Sequence, residues 1–218
     1  MVFTPTGRCK NISDVMIGDL VLTTCGFSSV YLLAHTDHNT SSTFIEIMTD
    51  SQHLVQLTPL HYIRANGAFK LAKDVQSSDR VMVGIQNSTG FNTGQLFVNA
   101  NVTRVRTVTK QGLHSPFTMC GDIVVSSTGT CSSGVVASVY SDWFLESSVL
   151  EVAVIPVIYH YLTVLAPLRG IFAIFPAWTK HFAMSFDGSK ISIHEHGYRK
   201  LAIACWRATR SMFAEKSC

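Results

Sequence analysis

From Met1 to about residue 140 the chain is a succession of short β-branched and aromatic runs, cut apart by Gly, Asn, Asp and Ser clusters. No other feature narrows the fold as far. Runs at 20–24, 29–33, 44–48, 53–57, 80–83 and 102–109 each have the length and residue types of a strand. Asn66-Gly67, directly after Tyr62-Ile63-Arg64, has the residue types of a two-residue hairpin turn, because both positions tolerate a positive φ. Polar stretches at 87–94 and 126–134 read as loops. Many short strands at this spacing predict a mainly β, compact body over 1–142. No repeat of fixed period is visible in the sequence.

The character changes at Asp142-Trp143-Phe144-Leu145. From 149 to 175 the chain is apolar on every face, interrupted by Glu151, His160 and Arg169 and broken by Pro156 and Pro167. Its stretch without Asp, Glu, Lys or Arg, 152–168, sits at the margin of the roughly 18 residues a spanning helix needs. A pair of short helices packed on the β body is one expectation, and membrane contact through 149–175 is the other. Residues 197–216 carry Arg199, Lys200, Arg207 and Arg210, with Leu201, Ala204, Cys205, Ala208 and Met212 able to share a helical face. The expected organisation is a β module at 1–142 followed by a helical, apolar and basic extension at 143–218.

With 47% apolar and only 14% charged residues the chain can bury a core, which argues against global disorder. The net charge of +3 is spread along the chain, with no Lys/Arg stripe for nucleic acid. Six cysteines are present and none forms a CxxC pair, so a zinc ribbon is not expected, nor any other metal or cofactor. A chain of 218 residues needs no disulfide framework to fold, and the sequence leaves the disulfide state open. Asn-x-Ser/Thr sequons at Asn11, Asn39, Asn87 and Asn101 hint at a secretory route.

The richest chemical constellation is Thr58-Pro59-Leu60-His61, where a strand ends, a hydroxyl precedes a proline and an imidazole follows. A turn can bring Thr58 and His61 to one side. An imidazole titrating near neutrality can both take and give a proton. A lone histidine after a strand is nonetheless more often a hydrogen-bonded structural residue.

Five segments in order add weight to it. They are Ile12-Ser13-Asp14-Val15-Met16-Ile17-Gly18-Asp19-Leu20-Val21-Leu22 and Phe27-Ser28-Ser29-Val30, then Leu71-Ala72-Lys73-Asp74-Val75 with Asp79-Arg80-Val81-Met82-Val83. Gly112-Leu113-His114-Ser115-Pro116-Phe117-Thr118 with Gly121-Asp122-Ile123-Val124-Val125 follows, and Val135-Val136-Ala137-Ser138-Val139-Tyr140 ends the series. With the Thr-x-x-His of Thr58 and His61, these resemble the hedgehog-type Hint (Hog) autoprocessing domain over nearly all of 1–142. The resemblance implies an all-β module that cuts itself from the polypeptide before it. In that family a first-position Cys attacks the preceding carbonyl in an N-to-S acyl shift. The His assists the amide nitrogen, the Thr orients the scissile peptide, and the thioester passes to water or a sterol.

By the resemblance, His61 and Thr58 serve the first step. A residue on the preceding strand, counted back from Phe44 to His35, is the base of the second; Asp37 and His38 lie two and three positions further on. An exposed loop histidine is the alternative reading of His35. The best register places the nucleophilic Cys a short way upstream of Met1, and neither Cys9 nor Cys25 fits its place. Many relatives carry Cys where Val139 stands. The expectation is a self-processing cysteine-type peptidase or acyl transferase whose partners are the upstream polypeptide cleaved in cis and a sterol or other lipid. The chain as printed is expected to be inert. The family implies a secretory, extracellular or membrane-associated setting. The rival is a non-catalytic remnant that binds lipid or membrane. A splicing intein ranks below both, because Lys216-Ser217-Cys218 offers no Asn.

Overall fold

The structure is a computed structural model and describes residues 1–85, 96–129, 133–141 and 165–174. The chain divides into two compact units, Met1–Trp143 and Phe144–Cys218.

The first unit is built almost entirely of strands. β1 (Val2–Phe3) and β2 (Cys9–Lys10) form a small hairpin, β3 spans Leu20–Thr23 and β4 Gly26–Thr49. Next come β5 (Leu54–Leu57), β6 (His61–Ala65), β7 (Ala68–Leu71) and β8 (Arg80–Ile85). β9 (Leu96–Thr118), β10 (Asp122–Val125) and β11 (Ser133–Ser141) complete it. Hydrogen bonding links them in the order β2-β1-β10-β11-β6-β8-β9-β4-β3, with β5 on β4 and β7 on β6. The mainly β class read from the sequence holds. Asn66 (φ 54°) and Gly67 (φ 82°) form the expected two-residue turn between Ala65 and Ala68.

Two expected strands, 29–33 and 44–48, are the ends of one strand. β4 pairs antiparallel with β9 from Val30↔Thr118 to Thr49↔Val102. Its middle is polar and largely exposed, so no burial pattern marks it as strand. The backbone ladder to β9 carries it through.

The structure also shows an internal duplication, of which the sequence carries the trace Lys-x3-Asp-Val-x3-Asp-x-Val at 10–21 and again at 70–81. Lys10 Nζ and the Met16 amide donate to Asp19 Oδ2, at 2.6 and 2.8 Å. Sixty positions on, Lys70 Nζ and the Gln76 amide donate to Asp79 Oδ2, at 2.7 and 2.8 Å. A 3-10 turn precedes each aspartate, at Ile12–Asp14 and Ala72–Asp74. The Gly18 amide donates to the Val30 carbonyl and the Ser78 amide to the Val102 carbonyl. Lys, Asp-Val and Asp recur at equivalent positions, the other side chains diverge, and the hydrogen-bonding skeleton repeats.

The duplication exposes a strain. Gly18 and Ser78 occupy equivalent left-handed positions, φ 89° and φ 83°. Glycine accepts that geometry freely and serine does not. Ser78 is exposed, so its side chain has little packing to lose. Ser78→Gly is therefore expected to raise stability by about 0.5–1 kcal/mol, read as a higher urea midpoint with unchanged slope. A lower midpoint would contradict the strain.

The core near the N-terminus joins Phe3, Leu22, Val124 and Val136, with Cys9, Phe27, Met82 and Phe97 against it. A methyl group at Gly134 would lie 2.6 Å from the Val125 carbonyl oxygen and 2.8 Å from the Phe3 ring, so β11 approaches β10 there as only glycine permits.

In the second unit α1 spans Ala166–Ile174. Pro167 stands in its first turn, where a missing N–H costs nothing. Leu165 and Phe172 are buried, while Ile171 and Ile174 are exposed. No described helix is long and apolar enough to cross a membrane. The rest of the apolar run and the tail helix expected at 197–216 lie outside the described residues.

Candidate active site

β6 follows Pro59-Leu60 and alternates inward and outward. Ile63 and Ala65 face the core while Arg64 is exposed, its guanidinium over the Phe69 ring. Two-residue periodicity puts His61 on the inward face with Ile63. The His61 amide donates to the Thr58 carbonyl at 2.9 Å, closing a turn over Pro59-Leu60, and the Lys73 amide braces it at the Pro59 carbonyl, 3.0 Å. Thr58 and His61 thus sit at the two ends of one hydrogen-bonded turn. The Thr58 hydroxyl has no hydrogen-bond partner among the described residues.

Opposite this turn the register of β11 on β6 slips between Ala137↔Ile63 and Ser141↔His61. Between these pairs Tyr62 of β6 faces three residues of β11, and the extra length bows β11 at 138–140. In that bow the Ser138 carbonyl meets His61 Nε2 at 2.6 Å. The Ser138 hydroxyl takes the Tyr140 amide, 3.0 Å, and the Val139 amide donates to the Gly121 carbonyl, 3.2 Å. Val139 is itself buried.

A carbonyl oxygen only accepts, so Nε2 carries the hydrogen. Burial pushes the His61 pKa below its usual 6.5, against a smaller upward pull from Ser138. The ring is therefore neutral at pH 7, and its lone pair lies on Nδ1. The Ser138 contact spans 77 positions, and no sequence signal foretold it. It arises from sheet register.

His35 is not part of that turn. It lies within β4 and is half-buried rather than in an exposed loop, at the irregularity between Leu33↔Pro116 and Thr36↔His114. His38, exposed, packs its ring against His114 at 4.8 Å between centroids. Asp37 folds back onto its own strand, its carboxylate accepting from the amides of Asn39 and Thr40 and the Thr40 hydroxyl. Edge-on aromatic contacts run from β4 to β11, Tyr31 to Phe117 at 6.4 Å and Phe117 to Tyr140 at 5.7 Å. They tie the strand that carries His35 to the strand that holds His61.

Cys25 and Cys120 form a disulfide, and Cys9 is disulfide-bonded as well. Every described cysteine is therefore oxidised. Among the described residues no cluster of three His, Cys, Asp or Glu side chains has the arrangement of a metal site.

A strand-rich body with duplicated hydrogen-bonding halves, and a Thr-x-x-His turn against β11, is the arrangement expected of a Hint module. The chain belongs to the Hint family, and its Hint domain is of the hedgehog type: residues 1–163 match the family model described as "Hint module". It is 26% identical to Warthog protein 1 of Caenorhabditis elegans over 156 residues, 66% of this chain and 30% of that protein. It is 30% identical to Protein hedgehog of Drosophila virilis over 142 residues, 61% of this chain and 28% of that protein. The chain thus spans less than a third of either relative's length. Among solved structures it is similar to the gp41-1 intein, at a TM-score of 0.47 and 12% identity, over 63% of this chain and 91% of that one.

Proposed function

We propose that the module at 1–142 cleaves itself from a preceding polypeptide through a thioester. The observation that carries this is the His61 ring, held by Ser138 at Nε2 with Nδ1 left as a neutral base. Nδ1 takes the proton of an attacking thiol, and the imidazolium formed is held by the Ser138 carbonyl. The thiolate sulfur bonds to the scissile carbonyl carbon. As the C–N bond breaks, the imidazolium returns the proton to the leaving nitrogen, which departs as an amine. Thr58, at the other end of the turn, orients the scissile peptide. Water or a sterol hydroxyl then attacks the thioester, with His35 as base, and the thiol is regenerated.

The attacking thiol is assigned to a cysteine upstream of Met1. Cys9, Cys25 and Cys120 are disulfide-bonded and furnish no thiolate while oxidised, and Cys131, Cys205 and Cys218 lie outside the described residues. The 218 residues alone, behind an N-terminal reporter, are then expected to stay intact in hydroxylamine, which captures a thioester and leaves disulfides oxidised. Release of the reporter would move the nucleophile into the printed sequence.

A precursor with a Cys-led upstream segment separates the two steps. His35→Ala should still form the thioester, so dithiothreitol, which supplies its own thiolate, releases the reporter at the wild-type rate. Release without added thiol should fall by about 10²–10⁴, the usual cost of losing a positioned base. His38→Ala is the control, since its ring is engaged with His114. If both variants process normally without thiol, neither histidine is the base.

A second reading draws on α1, where Ile171 and Ile174 are exposed at 48% and 69%. On this reading the chain is a non-catalytic remnant that binds lipid or membrane through 149–175. Binding to neutral phosphatidylcholine vesicles by a precursor that never cleaves would favour it.

A further inference from the structure

The cysteines carry information about where the chain folds. Disulfides such as Cys25–Cys120 persist in oxidising compartments and are rare in reducing ones. In the secretory route of eukaryotic cells the same compartment modifies Asn-x-Ser/Thr sequons.

The sequons are not equivalent in the fold. Asn11, Asn39 and Asn101 are all exposed, and Asn87 lies outside the described residues. Asn101 Nδ2 donates to Asp50 Oδ2 at 2.8 Å, and its backbone is paired with Arg80. The Thr103 hydroxyl of that sequon is taken by the Met48 carbonyl, 3.2 Å. Asn11 Nδ2 donates to Asp14 Oδ2 at 3.3 Å.

Asn39 differs. The register of β4 on β9 jumps from Asp37↔Leu113 to Ser41↔Gln111, so His38, Asn39 and Thr40 face Gly112 alone. The excess residues bow away from the sheet. The bow is held by its backbone: the Asn39 amide donates to Asp37 Oδ1, 2.8 Å, and its carbonyl accepts from Gln111 Nε2, 3.3 Å. The Asn39 carboxamide and the Ser41 hydroxyl have no partner among the described residues. A large polar group on Nδ2 would therefore break no contact and bury nothing.

We propose that Asn39 is an N-linked glycosylation site, and that the module matures as a disulfide-bonded glycoprotein. The donor is a lipid-pyrophosphate-linked oligosaccharide. The Asn39 amide nitrogen bonds to C1 of its first sugar, the bond from C1 to the pyrophosphate oxygen breaks, and the lipid pyrophosphate leaves with the electron pair. The nitrogen loses one proton and keeps one. The glycan then stands on the bow of β4, four residues beyond His35. This inference does not depend on the cleavage reading.

The test is to express the full chain behind a secretion leader in cultured eukaryotic cells. Peptide N-glycosidase in heavy-oxygen water then marks each glycosylated asparagine for mass spectrometry. The mark is expected at Asn39, with one glycan step on a gel that Asn39→Gln removes. Ser41→Ala should remove it without touching the asparagine, and Ser41→Thr should keep it. The Cys25–Cys120 disulfide, read from the same digest, certifies that the chain reached the lumen and folded. Disulfide-bonded chain with Asn39 unmarked, or marked only at Asn11, Asn87 or Asn101, overturns the proposal.

Discussion

His61→Ala, placed in a precursor with the upstream cysteine restored, should abolish thiol-dependent release, with a loss of about 10²–10⁴ in rate. Thr58→Ala should slow it less, because orientation is shared with the rest of the turn. The reason is electrostatic. An amide nitrogen is a poor leaving group unless it receives a proton, and His61 is the group positioned to carry one from the thiol. Its pKa is lowered by burial, so the neutral base is present at pH 7 and the acid limb of the rate profile should lie below pH 6.5. The same shift bears on stability. The unfolded chain binds this proton at higher pH than the folded one. The contribution is therefore complete above 6.5 and lost as pH falls through the folded value. Unchanged release in His61→Ala would remove His61 from the chemistry whatever the fold. An acid limb centred above 6.5 would remove the burial argument.

The second large effect is on stability. Cys25 sits in the tip of the β3–β4 hairpin and Cys120 in the turn between β9 and β10, 95 positions apart. Their neighbourhood is also knit by hydrogen bonds. The Thr24 amide donates to Asp122 Oδ1 at 2.8 Å, the Thr24 hydroxyl to Asp122 Oδ2, and the Cys120 amide to Ser28 Oγ at 3.1 Å. The native ends are therefore held together without the covalent bond. The disulfide acts chiefly by restricting the unfolded chain. A loop of this length is worth on the order of 4–5 kcal/mol in the chain-entropy view, and removing native disulfides typically costs about 2–5 kcal/mol. The double variant Cys25→Ser/Cys120→Ser, which leaves no stray thiol, should lose about that much in urea unfolding, a large part of a single domain's stability. A loss under about 1 kcal/mol would show that the hydrogen bonds alone do the work.

What was legible in the sequence follows from what is local. The Asn66-Gly67 turn, the ends of β4 and the strand β8 announce themselves through turn chemistry and β-branched runs. The proximity of Thr58 and His61 was legible because a single turn joins them, and their weight as a candidate site came from the family resemblance. The middle of β4 was not legible, since its side chains are polar and exposed and only the ladder to β9 keeps it extended. The partner of His61 was hidden for the same reason: the Ser138 carbonyl reaches the ring through a register slip that no composition encodes. The duplication left only a sparse trace, Lys10, Asp14, Val15 and Asp19 matching Lys70, Asp74, Val75 and Asp79, and its extent shows in the repeated hydrogen bonds. The Cys25–Cys120 pairing joins two turns that only the folded sheet brings together. His35 was reached by counting back along a strand, and its placement inside β4 rests on the pairing with β9.

Cleavage turns on the thioester, and hydroxylamine tests for that intermediate directly. A precursor carrying the upstream cysteine and a short reporter is incubated with hydroxylamine, and the released reporter is weighed by mass spectrometry. Hydroxylamine captures a thioester far faster than an amide. The expected product is a reporter ending in a hydroxamate, formed at the residue before that cysteine and lost when the cysteine is changed to serine or when His61→Ala is introduced. A precursor that stays intact, or a reporter that ends in a plain carboxylate and is still released after the cysteine is replaced, would contradict it.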